Sequence, residues 1–454
     1  MRKSILCSAV LIACCATAAA QTRTEPPFAE QVRDETVTMQ AEMLNLLLWR
    51  NDADFDRSEP LWDEDGQDVG VLATVFTPTF TWNIVRSLRI TYQAELGLNY
   101  WSRNDPDVED MTSPSILVMK HRELHASGEL EDSMGFKIGY GRFIDPTGLF
   151  INHWIGSAQY WLGEDEDRLG LFVGQVPDSS HEGISVTDNN FTRDIFVYGA
   201  RFDWRIDHGW KLAIGMHNLY DSHLPGQERW LLAPNLHLAA GDQDLGLSLD
   251  AMLQVGQAEG QTVAGRIQQH LAWSVQGHIH WHLTDHFKLW PSDVDLHLLL
   301  TSPDDAHADN DFQGAFWGSG KNGSATLMLT EDEIRDWYDN YDERFGRRQG
   351  GFYHNRAGLM LVELQAGWNL ARWWKLKLVV AVANVLQPAN ALDEPFAGVE
   401  LDLIQEFVLF DLIEVVVAGG VLVPGGAAGA LINYIDRGAT DPVGMLEAAV
   451  RVRY

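Results

Sequence analysis

Three histidines, His278, His280 and His282, stand at alternate positions of one segment. In an extended chain that spacing puts the three imidazoles on one face, about 6–7 Å apart. Two of them can share a zinc ion if further ligands arrive, but the sequence identifies none, and a polar wall explains the row equally well. Asp304, Asp305, Asp309 and Asp311 crowd a second stretch, and hard oxygen ligands suit calcium. An EF-hand loop would need a Gly turn and a later Glu, so Asp304, Asp309 and Asp311 stand as candidate divalent-cation ligands beside the simpler reading of a solvated acidic loop. Arg201 and Arg205 repeat at a strand's two-residue step around Asp203. They form either a local anion-binding ladder or cross-strand ion pairs worth ~0.2–1 kcal/mol each. Catalysis would need a nucleophile, a base and an orienting group at one place. No Gly-x-Ser-x-Gly elbow or His-Glu-x-x-His pair occurs, so no enzyme is expected, and no cofactor beyond calcium in the acidic loop.

The elements that must carry these side chains are extended. From Leu88 to Tyr100, Leu88, Ile90, Tyr92, Ala94, Leu96, Leu98 and Tyr100 oppose Arg89, Thr91, Gln93, Glu95, Gly97 and Asn99. From Phe196, Tyr198, Phe202, Trp204 and Ile206 share a face against Arg201, Asp203 and Arg205. From Arg266 to Trp281, Leu271, Trp273, Ile279 and Trp281 oppose Arg266, Gln268, His270, Gln276, His278 and His280. A face that accepts Arg while its opposite accepts Trp fits water inside and lipid outside. Soluble strands average ~5–6 residues, whereas several of these exceed ten, as a tilted membrane strand of ~9–11 residues does. About eighteen such segments follow one another, and their connections alternate between short (Asp207 to Gly209, Gly241 to Asp244) and long (Asn51 to Asp68, Pro177 to Arg193, Ser302 to Arg356). The fold expected is all-β: a transmembrane antiparallel barrel over residues 36–454, with short periplasmic turns and long extracellular loops. Inside the longest loop, Glu331 to Phe345 reads as a short helix with Thr330 as N-cap. The last strand alternates Leu446, Ala448, Val450, Val452 and Tyr454 against Glu447, Arg451 and Arg453, and its terminal aromatic resembles the signal read by barrel-insertion machinery.

Composition agrees. Residues 1–20 read as a signal peptide, with basic Arg2 and Lys3, an apolar run of about ten residues too short for a ~20-residue membrane helix, and Ala18-Ala19-Ala20 before Gln21. Leu11-Ile12-Ala13-Cys14 offers the alternative of a lipid anchor on Cys14. Residues 21–35 are taken as a periplasmic segment. Cys7, Cys14 and Cys15 are the only cysteines, so cleavage after Ala20 leaves none for disulfides or thiolate metal sites. The 17 Trp, 11 Tyr and 19 Phe suit aromatic girdles, and the net charge of −31 excludes nucleic acid as a partner.

The second half resembles the alginate-export type of outer-membrane barrel. Gln254-Val255-Gly256 before the strand from Arg266 resembles that family's Gln-x-Gly element. Ser302-Pro303-Asp304 followed by Phe312 and Phe316 resembles its Ser-Gly-Asp loop, with Pro303 departing from the pattern. Gly398-x-Glu400-x-Asp402 with Pro424-Gly425 resembles its closing strands, and Gly141-Arg142 an early Gly-Arg element. The resemblance implies a monomeric eighteen-stranded barrel with a polar channel that exports a polysaccharide, in a secretion complex, or passes small solutes.

A channel selects by the charge and size of its constriction. The expected pore lining is Arg89, Lys137, Arg142, Arg201, Arg205 and Arg266 with Glu95, Asp203, Asp250, Gln254, Glu400 and Asp402. Its charges nearly balance, so the acidic excess belongs to loops and turns, where it can hold divalent ions that bridge lipopolysaccharide. The expectation is an outer-membrane channel filtering by charge and size, in contact with lipid and lipopolysaccharide; the alternative is a structural, adhesive or plugged barrel.

Overall fold

In the computed structural model the alternating segments close into one antiparallel barrel. It describes residues 36–453 except 51–68, 86–87, 104–116, 132, 165–166, 177–194, 207–208, 222–228, 243, 260–266, 284–289, 305–311, 315, 317–323, 330–356 and 433–439. The strands are β1 (Thr36–Arg50), β2 (Val69–Val85), β3 (Leu88–Arg103), β4 (Leu117–Glu131), β5 (Met134–Ile144), β6 (Asn152–Glu164), β7 (Asp167–Val176), β8 (Ile195–Ile206), β9 (Trp210–Asp221) and β10 (Arg229–Gly241). The chain continues with β11 (Leu245–Glu259), β12 (Ile267–His282), β13 (Asp293–Thr301), β14 (Phe312–Gln313), β15 (Leu359–Ala371), β16 (Trp374–Val385), β17 (Phe396–Leu409), β18 (Ile413–Pro424) and β19 (Val443–Arg453). Eighteen of these form the wall, each paired with its neighbours in the chain, and β1 closes the ring on β19 from Glu42↔Arg453 to Arg50↔Met445. The two-residue β14 stands apart: it runs parallel to β12 at Gln269 and His270. The expected strand count and antiparallel order hold. The thirteenth strand starts at Asp293 instead of near residue 286, and one helix, α1 (Gly426–Ile432), interrupts the connection after β18. Residues 1–35 and the helix expected over Glu331 to Phe345 lie outside the described residues.

Alternation decides which way each side chain points. Leu171, Val173, Ile214, Met216, Leu247, Leu249, Leu253, Val362, Leu364, Leu401 and Leu403 are exposed on the outer face. Trp82, Trp204, Trp210, Trp281 and Trp373 border them at the short-turn end, and Trp49, Phe196, Tyr198, Tyr220 and Trp230 at the other. An apolar band between two aromatic girdles is the surface a bilayer demands, and a closed ladder leaves no unpaired strand edge within it. No helix among the described residues is long and apolar enough to span.

The short turns need special backbone. At the β17–β18 turn Phe410 and Asp411 both take positive φ, 57° and 54°, and Leu412 N–H donates to Leu409 O at 3.1 Å. Two successive positive φ values make a type I′ turn, whose twist matches that of the strands it joins. Charges reinforce the ring's closure near this end: Arg451 and Arg453 of β19 each reach both Glu42 of β1 and Glu414 of β18, at 2.9–3.4 Å.

The long-loop side is filled from within. Residues 145–151, 324–329 and 425–432 join inward side chains of the wall, among them Leu46, Val197, Leu231, Leu361, Val379 and Ile404, in one buried apolar cluster. Asp145 builds the first of these turns. Its Oδ1 accepts from Thr147 N–H, Thr147 O–H and Gly148 N–H, and its Oδ2 from Phe150 and Ile151 N–H at 3.0 and 2.7 Å.

Gly256 closes the motif Gln254-Val255-Gly256 for a steric reason. A Cβ there would fall inside the Trp230 carbonyl oxygen on β10, which is backbone and has no rotamer to yield. We expect Gly256→Ala to cost about 1–3 kcal/mol of overpacking, seen as a lower urea midpoint of the refolded barrel. An unchanged midpoint would refute the close approach.

Candidate functional site

The barrel interior has two tiers. Near the short turns the inward positions are charged and reached by water; deeper in, toward the long loops, polar groups are buried beneath the inward-turned segments.

The water-reached tier is divided around its circumference. Arg89 of β3, Lys137 of β5, Arg168 of β7, Arg201 and Arg205 of β8 and Lys211 of β9 form a basic arc. Within it Asp203 takes Arg201 Nη2 at 2.7 Å and Arg168 Nε at 3.6 Å. Arg205 and Lys211 stand directly opposite each other in register, two like charges at the rim. Next round the ring, β10 to β13 carry imidazoles and carboxylates: His237 Nδ1 lies 2.6 Å from Asp250, and His278, His280 and His282 lie against Asp295 and Asp293. Lysines on β16 have acids within reach, Lys377 lying 3.7 Å from Glu406. The basic groups and the imidazole–carboxylate groups hold adjoining sectors of the ring, so the charge round the lumen is uneven.

The buried tier centres on residues 324–329. Glu400 Oε1 and Oε2 accept from Met328 and Leu329 N–H at 2.7 and 2.6 Å, and Asp402 Oδ2 accepts from Leu327 N–H at 3.4 Å. Glu363 accepts from Ala325 N–H at 3.1 Å and from the Ser324 hydroxyl. All three carboxylates are at most 1 % exposed. Carboxylates offer several acceptor sites each, so three of them clamp a run of backbone that has no sheet partner. Glu400 and Asp402 therefore hold a buried segment against the wall.

The other expected residues divide in the same way. Arg89, Lys137, Arg201, Asp203 and Arg205 face the water-reached tier, and Arg89 Nε donates to Asn83 at 3.1 Å. Asp250 is 5 % exposed beneath His237, and Gln254 is fully buried, its Oε1 3.2 Å from His270 Nε2. Glu95 is buried against Arg122, which donates from Nε at 2.9 Å while Trp154 lies 4.8 Å from the guanidinium carbon. Arg142 departs from the expected lining: it is five residues from Lys137 on one strand, on the face that carries exposed Ile138 and Ile144, and its Nε donates to Asn152 at 2.9 Å. Asp304 is occupied in the fold, with Oδ1 accepting Gly314 N–H at 2.8 Å, while Ser302 Oγ donates to Gly314 O at 2.7 Å and accepts Trp273 N–H. The Ser-Pro-Asp element thus ties the chain back across the free edge of β12. Asp309, Asp311 and Arg266 lie outside the described residues. Among the described residues no group of three ligands is arranged for a metal ion.

Several buried residues escape a reading by alternation. Arg122 is the extra residue of a bulge where Gln93 and Ala94 pair with Glu123 and His121; the run Lys120-His121-Arg122-Glu123, polar at every position, is the signal of that bulge. His217 is fully buried beside Phe172, ring centroids 5.2 Å apart, and within 2.7 Å of Asn235. Residues 324–329 carry no periodicity that would place them inside.

No family model matches the sequence, and no curated protein matches it. Solved structures do match. OccK9 (OpdG) of Pseudomonas aeruginosa is 11% identical, with a TM-score of 0.58 over 92% of this chain and 98% of that one. OpdK of the same organism, solved with vanillate, is 11% identical with a TM-score of 0.55 over 92% and 98%. OccAB1 of Acinetobacter baumannii is 9% identical with a TM-score of 0.55 over 92% and 96%. At these identities the likeness is one of architecture: the chain has the eighteen-stranded closed barrel that these proteins share.

Proposed function

We propose that this protein is a monomeric outer-membrane channel that passes small organic anions by electrostatic and steric filtering. The observation that carries the reading is the arc of Arg168, Arg201, Arg205 and Lys211 exposed to lumen water directly below a packed apolar tier. A narrow passage with low-dielectric walls focuses the field of such an arc on the solute. OpdK, solved with vanillate, a small aromatic carboxylate, is a precedent on the same fold. The outer face supplies the contacts with lipid and lipopolysaccharide, and β19 the alternating terminal strand suited to barrel-insertion machinery.

Export of a polysaccharide, with a secretion complex as partner, is the second reading, and it rests on the alginate-export resemblance. A polymer needs a continuous wide passage, and residues 145–151, 324–329 and 425–432 occupy the interior where that passage would run.

The test is single-channel recording of the refolded protein in planar bilayers under a salt gradient. Arg201→Gln with Arg205→Gln is expected to move the reversal potential toward cation preference with little change in conductance. An unmoved reversal potential would take the filter away from β8.

A further inference from the structure

The histidine column of β12 lies opposite a column of acids. His278 Nε2 and His280 Nδ1 approach the same oxygen of Asp295, at 3.1 and 2.6 Å, and His282 Nδ1 lies 2.8 Å from Asp293. The three imidazoles are 36–40 % exposed, so lumen water and ions reach them. Further along β13, His297 faces His278 with ring centroids 6.5 Å apart, and its Nδ1 stands 3.9 Å from Glu363 of β15. On the opposite flank β11 presents Ser248 across from His278 and then Asp250, which His237 of β10 holds at 2.6 Å. Lys375 of β16 and Asp293 flank Gly367, which closes the strip at the rim.

These neighbours give the strip two charge states. Histidine is the side chain whose charge ordinarily changes between about pH 5 and 8. With neutral imidazoles the strip presents the carboxylates of Asp250, Asp293, Asp295 and Glu363 against Lys375 and Lys377 of β16, the latter in register with Gly367 and 3.7 Å from Glu406. With protonated imidazoles the carboxylates are matched or outnumbered by cations. The arginines of β7 and β8, a few strands away round the ring, keep one charge throughout, since guanidinium does not titrate in proteins. A sector whose charge changes beside a sector whose charge does not is a selectivity element with a proton as its control.

We infer that the His278–His280–His282 strip, set against Asp293 and Asp295, makes the ion preference of the channel depend on pH, turning it further toward anions as the medium acidifies. The inference rests on the channel reading above and names the residues that would tune it.

The experiment is reversal potential in a potassium chloride gradient at about pH 8 and about pH 5.5, a window above the ordinary carboxylate range. The wild-type barrel is expected to shift toward anions at the lower pH. His278→Gln/His280→Gln/His282→Gln is expected to lose most of that shift while keeping its conductance. Asp295→Asn, which keeps every imidazole, is expected to prefer anions more strongly already at the higher pH; it carries the test should the triple variant fail to form a heat-modifiable barrel. An equal pH shift in wild type and the triple variant, or an unchanged preference of Asp295→Asn at the higher pH, overturns the strip's role and leaves the channel standing. A folded wild-type barrel that never conducts overturns the channel reading, and the strip's role with it.

Discussion

Glu400→Ala combined with Asp402→Ala is expected to raise single-channel conductance several-fold. The two carboxylates accept the N–H groups of Leu327, Met328 and Leu329 at 2.6–3.4 Å in a site closed to water. A buried donor left without an acceptor costs about 1–3 kcal/mol, so three at once cancel most of what burying Leu327, Met328 and Leu329 contributes at about 1.5–3 kcal/mol each. The segment's cheapest response is to leave the wall and find water. The barrel itself survives, because its strand ladder does not run through residues 324–329. Conductance would rise, and limited proteolysis would cut within 324–329 where the wild type resists. Wild-type conductance together with wild-type resistance would mean that apolar packing of Leu327 against the wall near Gly420 holds the segment without the carboxylates.

The second large effect is on stability. Arg122 and Glu95 are 3 % and 2 % exposed, joined through Nε at 2.9 Å and Nη2 at 3.4 Å. Removing one member of a buried pair leaves the other charge in a site built for two, at about 3–5 kcal/mol, whereas removing both is far milder. Arg122→Leu should therefore lower the urea midpoint of the detergent-solubilised barrel sharply, and adding Glu95→Leu should restore most of the loss. A single variant as mild as the double would show that water reaches the pair. Part of the single-variant loss comes from Trp154, which also gives up the guanidinium above its ring.

Much of this architecture is legible in the sequence. Phe196 to Ile206 declares both faces of β8 by its pattern alone, because a strand between lipid and water has no freedom in its period. Loop lengths orient the barrel, and Gly256 stands out beside Gln254. What alternation alone cannot carry is any departure from period two. The bulge at Arg122 adds one residue and breaks the register of the polar run around it. Arg142 shows a second limit: grouping it with Lys137 by charge ignores the odd number of steps between them. Segment 324–329 is illegible for another reason. Its partners stand 39 to 75 residues away, and nothing local in Ser324-Ala325-Thr326 announces a backbone waiting for carboxylates. The division of charge between sectors of the ring is within reach, however. When each strand pairs with the next, order along the chain is order around the ring, so basic residues gathered on β3 to β9 and acids on β11 to β18 can be read straight off the sequence.

The seam between the first and last strands sets a schedule. Glu42 and Arg453, paired in the ladder and bonded at 3.4 Å, are 411 residues apart. Contacts so distant form late, since the intervening chain must be gathered first. Every other seam of the wall joins strands that follow one another in the chain; this one waits for β19. Until β19 arrives, β1 and β18 are open edges with unanswered backbone groups, which a bilayer does not tolerate and other chains readily seize. Closure thus works as proofreading for completeness: a chain that lost its tail would have no ring to shut, and it would announce the defect before it could ever leak.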